Sequence, residues 1–470
     1  MDNKYNKLAK NTAIYAMGNF GSKILSFLIV PLYTYVLTTE EYGTVDLFTT
    51  TAGLLLPVIT LSIQEALMRF MLGKEVSGET AVSNCFMIFV LGAIASIIFI
   101  PIYFLVFKSW ENLGLFYAFL VVSSFTQIFS QYLRSSGNLV SFTINGILVT
   151  VTTLASNMLF LLVIKIGLKG YLVSLLLAQI VSAVYIVNKG KIMQQIRLRY
   201  FDKSIFREML KYSLPLIPNS LMWWTMAGGD KYIIHYFLGD SANGIYSLSM
   251  KIPGIINMVY ALFYQAWQMS AIEEKRAENQ KNFYSNIFKA SNALLSIAVV
   301  MIVICVKPLY LWVMSSSFKE AWIYVPILSL AAVVSCYGSF FGVIYAVNKN
   351  TKMASITTLI GAIVNIGFNL LFVQMLGLQG IAVGTLLGYM VVALIRARDT
   401  YREIRIDLDA RRLILTMGIL VVQSICTILL STWTSIMIGV SGLVILCILY
   451  KDETVKIVHI IFSKIKWRSA

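Results

Sequence analysis

Charge is what this sequence has least of. Asp, Glu, Lys and Arg make up 13% of its 470 residues against 58% hydrophobic ones, and the mean hydropathy is +0.77. So little polar surface cannot cover a water-soluble globule of this length, and lipid has to replace water around most of it. Histidine occurs twice, as His235 and His459. The five cysteines, Cys85, Cys305, Cys336, Cys426 and Cys447, stand in apolar stretches without a C-x-x-C spacing. These counts offer no zinc site, disulfide framework or nucleophile paired with histidine, and the cysteines read as small hydrophobes. A Gly-x-x-x-x-Gly-Lys phosphate loop is missing as well, so ATP hydrolysis by this chain is not expected. Nor is there a loop longer than about 25 residues, which leaves no room for a separate soluble domain. Asp407-Leu408-Asp409 matches the D-x-D pattern of metal-dependent glycosyltransferases. Placed just before Arg411 and Arg412 at the start of an apolar stretch, it reads as a helix cap.

What the sequence does have is long apolar runs. A bilayer core takes about 20 apolar residues per spanning helix. Stretches of that kind recur near 11–37, 43–71, 81–107, 113–134, 140–164, 170–188, 209–237, 243–270, 283–306, 322–347, 353–376, 380–397, 412–430 and 434–450. The expectation is an all-α polytopic membrane protein of about 14 transmembrane helices. Most of the 38 Lys and Arg residues fall in alternate loops, above all in the clusters Lys189 to Lys211 and Arg396 to Arg412 and after Tyr450. The intervening loops hold only Lys108, Lys165, Lys169, Lys307 and Lys319. Cytoplasmic loops carry the basic excess, which puts both termini in the cytoplasm. The net charge of +16 is then a collar facing anionic lipid, and no nucleic-acid partner is needed to explain it. The basic start, Met1 to Lys10, followed by an apolar run superficially suits a secretory signal. The run is too long, and no small-x-small site precedes its polar end at Thr38, so cleavage is not expected. At the other end, Lys456, Ile457, Ile460, Ile461, Lys464, Ile465 and Trp467 suit a short amphipathic helix on the inner leaflet.

The two halves repeat one another. Tyr35, Leu37, Gly43, Leu47 and Gly53 recur at the same spacing as Tyr236, Leu238, Gly244, Leu248 and Gly254. In the same way Asn138, Gly167, Leu168, Gly170 and Val173 recur as Asn348, Gly377, Leu378, Gly380 and Val383. An even number of spans separates the copies, so they share orientation about an axis along the membrane normal. The expected organisation is a lobe over 1–190, a second over 191–398, and two extra helices with a cytoplasmic tail over 399–470. Gly229-Asp230-Lys231-Tyr232, Leu238-Gly239 and Asn243-Gly244-Ile245-Tyr246-Ser247 resemble the second-half signature of the polysaccharide and O-antigen (Wzx-type) flippases. So do Glu65-Ala66-Leu67-Met68-Arg69-Phe70 and the pair Gly167-Leu168-Lys169-Gly170 and Gly377-Leu378-Gln379-Gly380. The resemblance runs from Asn11 to about Tyr450. It places the chain in the multidrug/oligosaccharidyl-lipid/polysaccharide exporter superfamily, built as two six-helix lobes, some with two further helices. It implies transfer of an undecaprenyl-diphosphate-linked oligosaccharide across the bacterial cytoplasmic membrane, with no catalytic residue and no cofactor.

A charge at the bilayer centre costs from about 3 kcal/mol upward, so one that persists there usually faces a cavity or a partner. Tyr15, Asn19, Ser22, Lys23 and Ser26 share one face of the first span, with Lys23 near mid-depth. The second span carries Asp46, Thr50, Gly53, Pro57, Thr60 and Gln64 and ends with Glu65 and Arg69 one turn apart. The seventh offers Asn219, Trp223, Met226 and Asp230, then Lys231, and the eighth Ser247 and Lys251. Lys23, Lys231 and Lys251, with Arg69, are the cations that a diphosphate would need in a low-dielectric cleft. Asn19 is a further substrate-binding candidate, and the Trp223 indole is one on which a sugar face could stack. Asp46, Glu65 and Asp230 are the carboxylates available to a coupling proton or sodium ion. Against these stand plainer readings: lysines that snorkel, Lys231 paired with Asp230, Arg69 paired with Glu65, and tryptophans that only pack, Trp224 above all. Pro31, Pro57, Pro215, Pro218 and Pro253 would bend spans. A multidrug exporter of the same superfamily would want an acidic cleft, and a polytopic glycosyltransferase or polymerase would need a large outer loop or a carboxylate pair.

Overall fold

The computed structural model describes residues 25–73, 75–273, 280–348 and 350–453. Among them the backbone is helical and contains no strand. In hydrocarbon each N–H and C=O has to find its partner within its own segment, and a helix does this without help from neighbours. Ten helices among the described residues are long and apolar enough to cross a membrane, or eleven if the bent pair Asp240–Ser249 and Lys251–Gln265 is one span. The first expected span, and with it Asn19 and Lys23, falls largely outside the described residues, as does the amphipathic tail. The chain divides into two compact units, one through Gly228 and one from Gly229 onward.

The first unit starts with α1 (Val30–Val36), where Pro31 occupies the first turn and no N–H is required of it. α2 (Thr39–Ile59) opens on a capping box. The Glu41 N–H donates to Thr38 Oγ1 at 3.1 Å, and the Thr38 N–H donates to the Glu41 carboxylate at 2.9 Å. The positive φ of Leu61 and Ser62 breaks the chain before α3 (Ile63–Leu72). α4 (Gly78–Ala95) runs through a tight turn into α5 (Ile100–Phe107) as one span. Then come α6 (Leu113–Ser135), α7 (Leu139–Asn157), α8 (Gly167–Gly190) and the short α9 (Ile192–Gln195). α10 (Lys203–Ser213) packs on α3, and α11 (Leu216–Gly228) packs on α2, the chain breaking between them at Leu214 and Pro215. α6 feeds two apolar clusters. Phe116, Phe119 and Leu120 join Phe48 and Leu55 of α2, whereas Ile128, Phe129 and Leu133 join Ile63 and Leu67 of α3.

The second unit holds α12 (Asp230–Leu238), α13 (Asp240–Ser249), α14 (Lys251–Glu273), α15 (Gln280–Val313), α16 (Val325–Val347), α17 (Thr351–Glu403), α18 (Ala410–Leu429) and α19 (Thr432–Leu449). α16 is its axis, packed by α14, α15, α17 and α18. α17 is far too long for one span. It breaks at Gly377, where φ is +56° and ψ −133°, and so supplies both expected spans 353–376 and 380–397. Gly380, Gly384 and Gly388 then lie against Phe372, Asn369 and Asn365, close enough that a Cβ on any of them would collide. Glycines four apart give a smooth helix face, which lets two helices in lipid approach closely.

The repeat noticed in the sequence has a geometric basis. Gly167 also has positive φ, at +52°, and a Cβ on Gly170 would lie 2.9 Å from Phe160 Cβ. In both copies the first glycine turns the chain and the second lets it fold back on the helix just finished. Asn138 caps α7 by accepting from Ser141 N–H, but its counterpart is Asn350, which caps α17 through Met353 N–H. Asn348, matched to Asn138 by spacing, donates to the Glu403 carboxylate instead. The cap follows the first helical residue, which sequence spacing alone located two positions early.

Candidate functional site

α2 and α11 carry the first unit's candidates. Asp46 is half-buried on α2, and Trp223 on α11 is 42% exposed. The neighbouring Trp224 turns inward: its indole N–H donates to the Thr50 carbonyl at 3.1 Å, and its ring fills the space over Gly53 and Gly228. Glu65 and Arg69 on α3 are both exposed. The Arg69 guanidinium lies over the Tyr212 ring, 4.9 Å from its centre, a cation–π contact that leaves the charge at the surface.

In the second unit Asp230 is 3% exposed at the first position of α12, and Tyr246 of α13 donates to its Oδ2 at 3.0 Å. A carboxylate so placed needs donors or a counter-charge to stay ionised. Lys231 beside it is half-buried, and Lys251 is exposed at the start of α14. At the membrane-proximal loop before α18, Lys289 meets Asp407 at 2.6 Å. The hydrogen bond from its ammonium, then one from the Asp409 N–H, holds the Asp407 carboxyl below the usual carboxylate range. Asp409 caps α18 by accepting from Arg412 N–H, so the D-x-D segment serves as a helix start.

Two polar clusters escaped the reading of charges. Arg396 was counted with the loop cations, yet it is 3% exposed inside the second unit. Its Nε donates to Thr357 Oγ1 at 2.9 Å, Nη1 to the Gly338 carbonyl at 2.9 Å, and Nη2 to Thr358 Oγ1 at 2.9 Å and the Ala354 carbonyl at 3.2 Å. Neutral oxygens surround it, and Gly342 leaves the space that Nη1 needs, since a Cβ there would come within 2.7 Å.

The other cluster lies in the first unit between the two apolar clusters of α6. Here a cavity of about 320 Å³ opens among α2, α6, α7 and α8. Thr126 donates to Gln179 Oε1 at 2.7 Å, and Ser182 donates to Asn145 Oδ1 at 2.9 Å. Ser123 Oγ and Gln127 Oε1 are buried and have no hydrogen-bond partner among the described residues. Among the described residues that line it, none is charged. One signal in the sequence marks this site: Ser123, Thr126, Gln127 and Ser130 follow the i, i+3, i+4, i+7 spacing of a single helix face within an apolar span.

Residues 8–268 match the family described as polysaccharide biosynthesis protein, more than half of the chain. The chain belongs to that family. Lsg locus putative protein 1 of Haemophilus influenzae is 20% identical over 346 residues, covering 70% of this chain and 82% of that protein. Among solved structures, the lipid II flippase MurJ in an inward closed conformation superposes with a TM-score of 0.68. It is 15% identical and covers 94% of this chain and 99% of its own. An outward-facing MATE-family multidrug resistance transporter of the MOP superfamily gives 0.61 at 17% identity, covering 82% of this chain and 93% of its own. The family member described here is thus a multi-pass, all-α membrane protein with a fold shared by flippases and exporters.

Proposed function

We propose that the chain is a flippase that carries undecaprenyl-diphosphate-linked oligosaccharide from the inner to the outer leaflet of the bacterial cytoplasmic membrane by alternating access. The observation that carries this reading is the match of residues 8–268 to a polysaccharide biosynthesis family, in a chain whose fold runs the length of a lipid-flippase structure. In this reading two six-helix lobes, 1–190 and 191–398, rock about a cationic cleft, with both termini in the cytoplasm. Lys23, Lys231, Lys251 and Arg69 hold the diphosphate, and Asn19 and Trp223 meet the first sugars. The polyprenyl tail stays in lipid. Asp46, Glu65 and Asp230 are the carboxylates for a coupling proton or sodium ion, and the burial of Asp230 beside the Tyr246 hydroxyl favours it among the three. The protein works as a transporter, with no bond made or broken.

Multidrug export is the second reading, favoured by the likeness to the MATE transporter. Charge reversal separates the two. In cells lacking their own flippase, Lys23→Glu and Lys251→Glu are expected to abolish surface polysaccharide while lipid-linked precursor accumulates inside. Lys→Ala should cost about 1.5 to 3 kcal/mol of substrate binding, the worth of a charge-assisted contact. Lys→Arg should retain part of the activity, because it keeps the charge and alters the geometry. Full polysaccharide export by both Glu variants, inserted normally, would overturn the cationic cleft and put the exporter first.

A further inference from the structure

We infer that the uncharged cavity among α2, α6, α7 and α8 is a binding subsite for a neutral sugar residue of the transported glycan. This inference rests on the flippase reading above. It concerns a different set of residues from the cations assigned to the diphosphate.

The chemistry of the lining narrows the ligand. The cavity offers hydroxyls and carboxamides, namely Ser123, Thr126, Gln127, Asn145, Gln179 and Ser182, and places Phe119 and Val149 among them. A diphosphate would need cations and a cationic drug would need a carboxylate, and the described lining residues include neither. A polyprenyl tail would leave the amides unsatisfied. A sugar ring has what the lining answers: hydroxyls that donate and accept around its edge, and an apolar C–H face to lie on an aromatic ring. The volume of about 320 Å³ sits at the lower end of the small-molecule range, roughly 300 to 1,000 Å³, which suits one or two sugar rings.

The pattern of satisfied and unsatisfied groups points the same way. Gln179 and Asn145 are each fixed by a hydroxyl from a neighbouring helix, so their carboxamides are held in place before any ligand arrives. Ser123 is 6% exposed, and its Oγ, like Gln127 Oε1, has no partner among the described residues. A buried polar atom without a partner costs free energy in the empty protein, and that cost is recovered when a ligand hydroxyl supplies the bond. On the topology read from the basic loops, Ser123 and Gln179 lie near mid-depth, and Thr126, Gln127, Asn145 and Ser182 lie on the cytoplasmic side of them. That is the side from which the assembled glycan is loaded.

The test uses the full-length protein in lipid nanodiscs and two probes: the lipid-linked oligosaccharide extracted from cells lacking this transporter, and undecaprenyl diphosphate without sugar. Ser123→Ala removes a hydroxyl with no partner among the described residues, so it is not expected to lower the melting temperature. Val149→Phe fills the cavity without touching its polar groups. Both variants are expected to weaken binding of the oligosaccharide lipid, Ser123→Ala by roughly three- to tenfold, the range for one lost hydrogen bond, and Val149→Phe by steric exclusion, while binding of the sugar-free lipid stays as in the wild type. Equal weakening of both lipids, or of neither, would overturn the subsite and leave the flippase reading standing. A wild-type protein that binds neither lipid would remove both. A sodium-dependent rise in melting temperature that Ser123→Ala abolishes, with glycan binding unaltered, would make the cavity an ion site and overturn the inference.

Discussion

Arg396 in the second unit and Ser123 in the first are both polar groups sunk in apolar helices, and what differs is how completely their neighbours answer them. Arg396 has four acceptors on α16 and α17, two carbonyls and two threonine hydroxyls, and a glycine that clears its path. Nearby Asn292 donates to Tyr450 at 2.6 Å and accepts from the Tyr337 hydroxyl. Tyr450 also shares a hydrogen bond with Thr416, which ties α15, α16 and α18 to the end of α19. These groups are spent on holding the helices together. Around Ser123 the hydrogen bonds are fewer, and open space takes the place of the missing partners. Polar groups buried in a membrane protein therefore divide into those the fold consumes and those it leaves available, and the partner count tells them apart.

The largest break in this contrast should come from Arg396→Glu. A carboxylate set among carbonyl oxygens has no donors beyond two threonine hydroxyls, and an uncompensated buried charge costs about 3 to 5 kcal/mol. Little monodisperse protein is expected after solubilisation, as read by size-exclusion chromatography. Arg396→Met should be milder, because Thr357 and Thr358 already donate to the Ala354 carbonyl and keep a partner. A Glu variant as stable as the wild type would show that the site is wet and the contrast false.

A smaller effect sharpens it. Asn292→Leu takes one acceptor from the Tyr337 hydroxyl, leaving it Ser296, and one partner from Tyr450, and it should lower stability by about 1 to 3 kcal/mol. Ser123→Ala, made at similar burial in the first unit, should change it by less than about 0.5 kcal/mol. Thermal unfolding of both variants in one detergent compares them directly, and equal losses would erase the distinction between consumed and available groups.

The smallest effect concerns pH. The Lys289 ammonium holds Asp407 below the usual carboxylate range, so the pair adds stability above the unfolded pKa of about 4, and this is lost as pH falls through the lower folded value. Asp407 is largely exposed, so the contribution is small and shrinks with salt. The unfolding midpoint of Asp407→Asn should fall below that of the wild type at neutral pH and low salt, with the difference closing as pH falls below the unfolded pKa and through the lower folded value. A difference that stays constant with pH would mean the ion pair is not its source.

Much of the fold was readable before any coordinates, for reasons that are local. Helix starts are written in short-range chemistry: the Thr38–Glu41 capping box, Asn138 before α7 and Asp409 before α18 all act within three residues. The break in α17 follows from a glycine that alone tolerates the required φ. Arg396 was misplaced because a basic residue near a span end looks the same whether it faces water or threonine hydroxyls from Thr357 and Thr358 almost forty positions earlier. Gln179 and Asn145 carry no charge, so nothing in their own spans marks them apart from the polar residues that many membrane helices contain.

By itself the sequence determined that the chain lives in lipid, that it is built of helices, and that short motifs recur at fixed spacing in its two halves. Each of these depends on composition or on contacts within a turn or two of helix. Only the tertiary structure decided which polar side chains are consumed and which remain open. A hydrogen bond such as Thr126 to Gln179 or Ser182 to Asn145 joins residues on different helices, and the volume left beside it depends on how four helices pack at once.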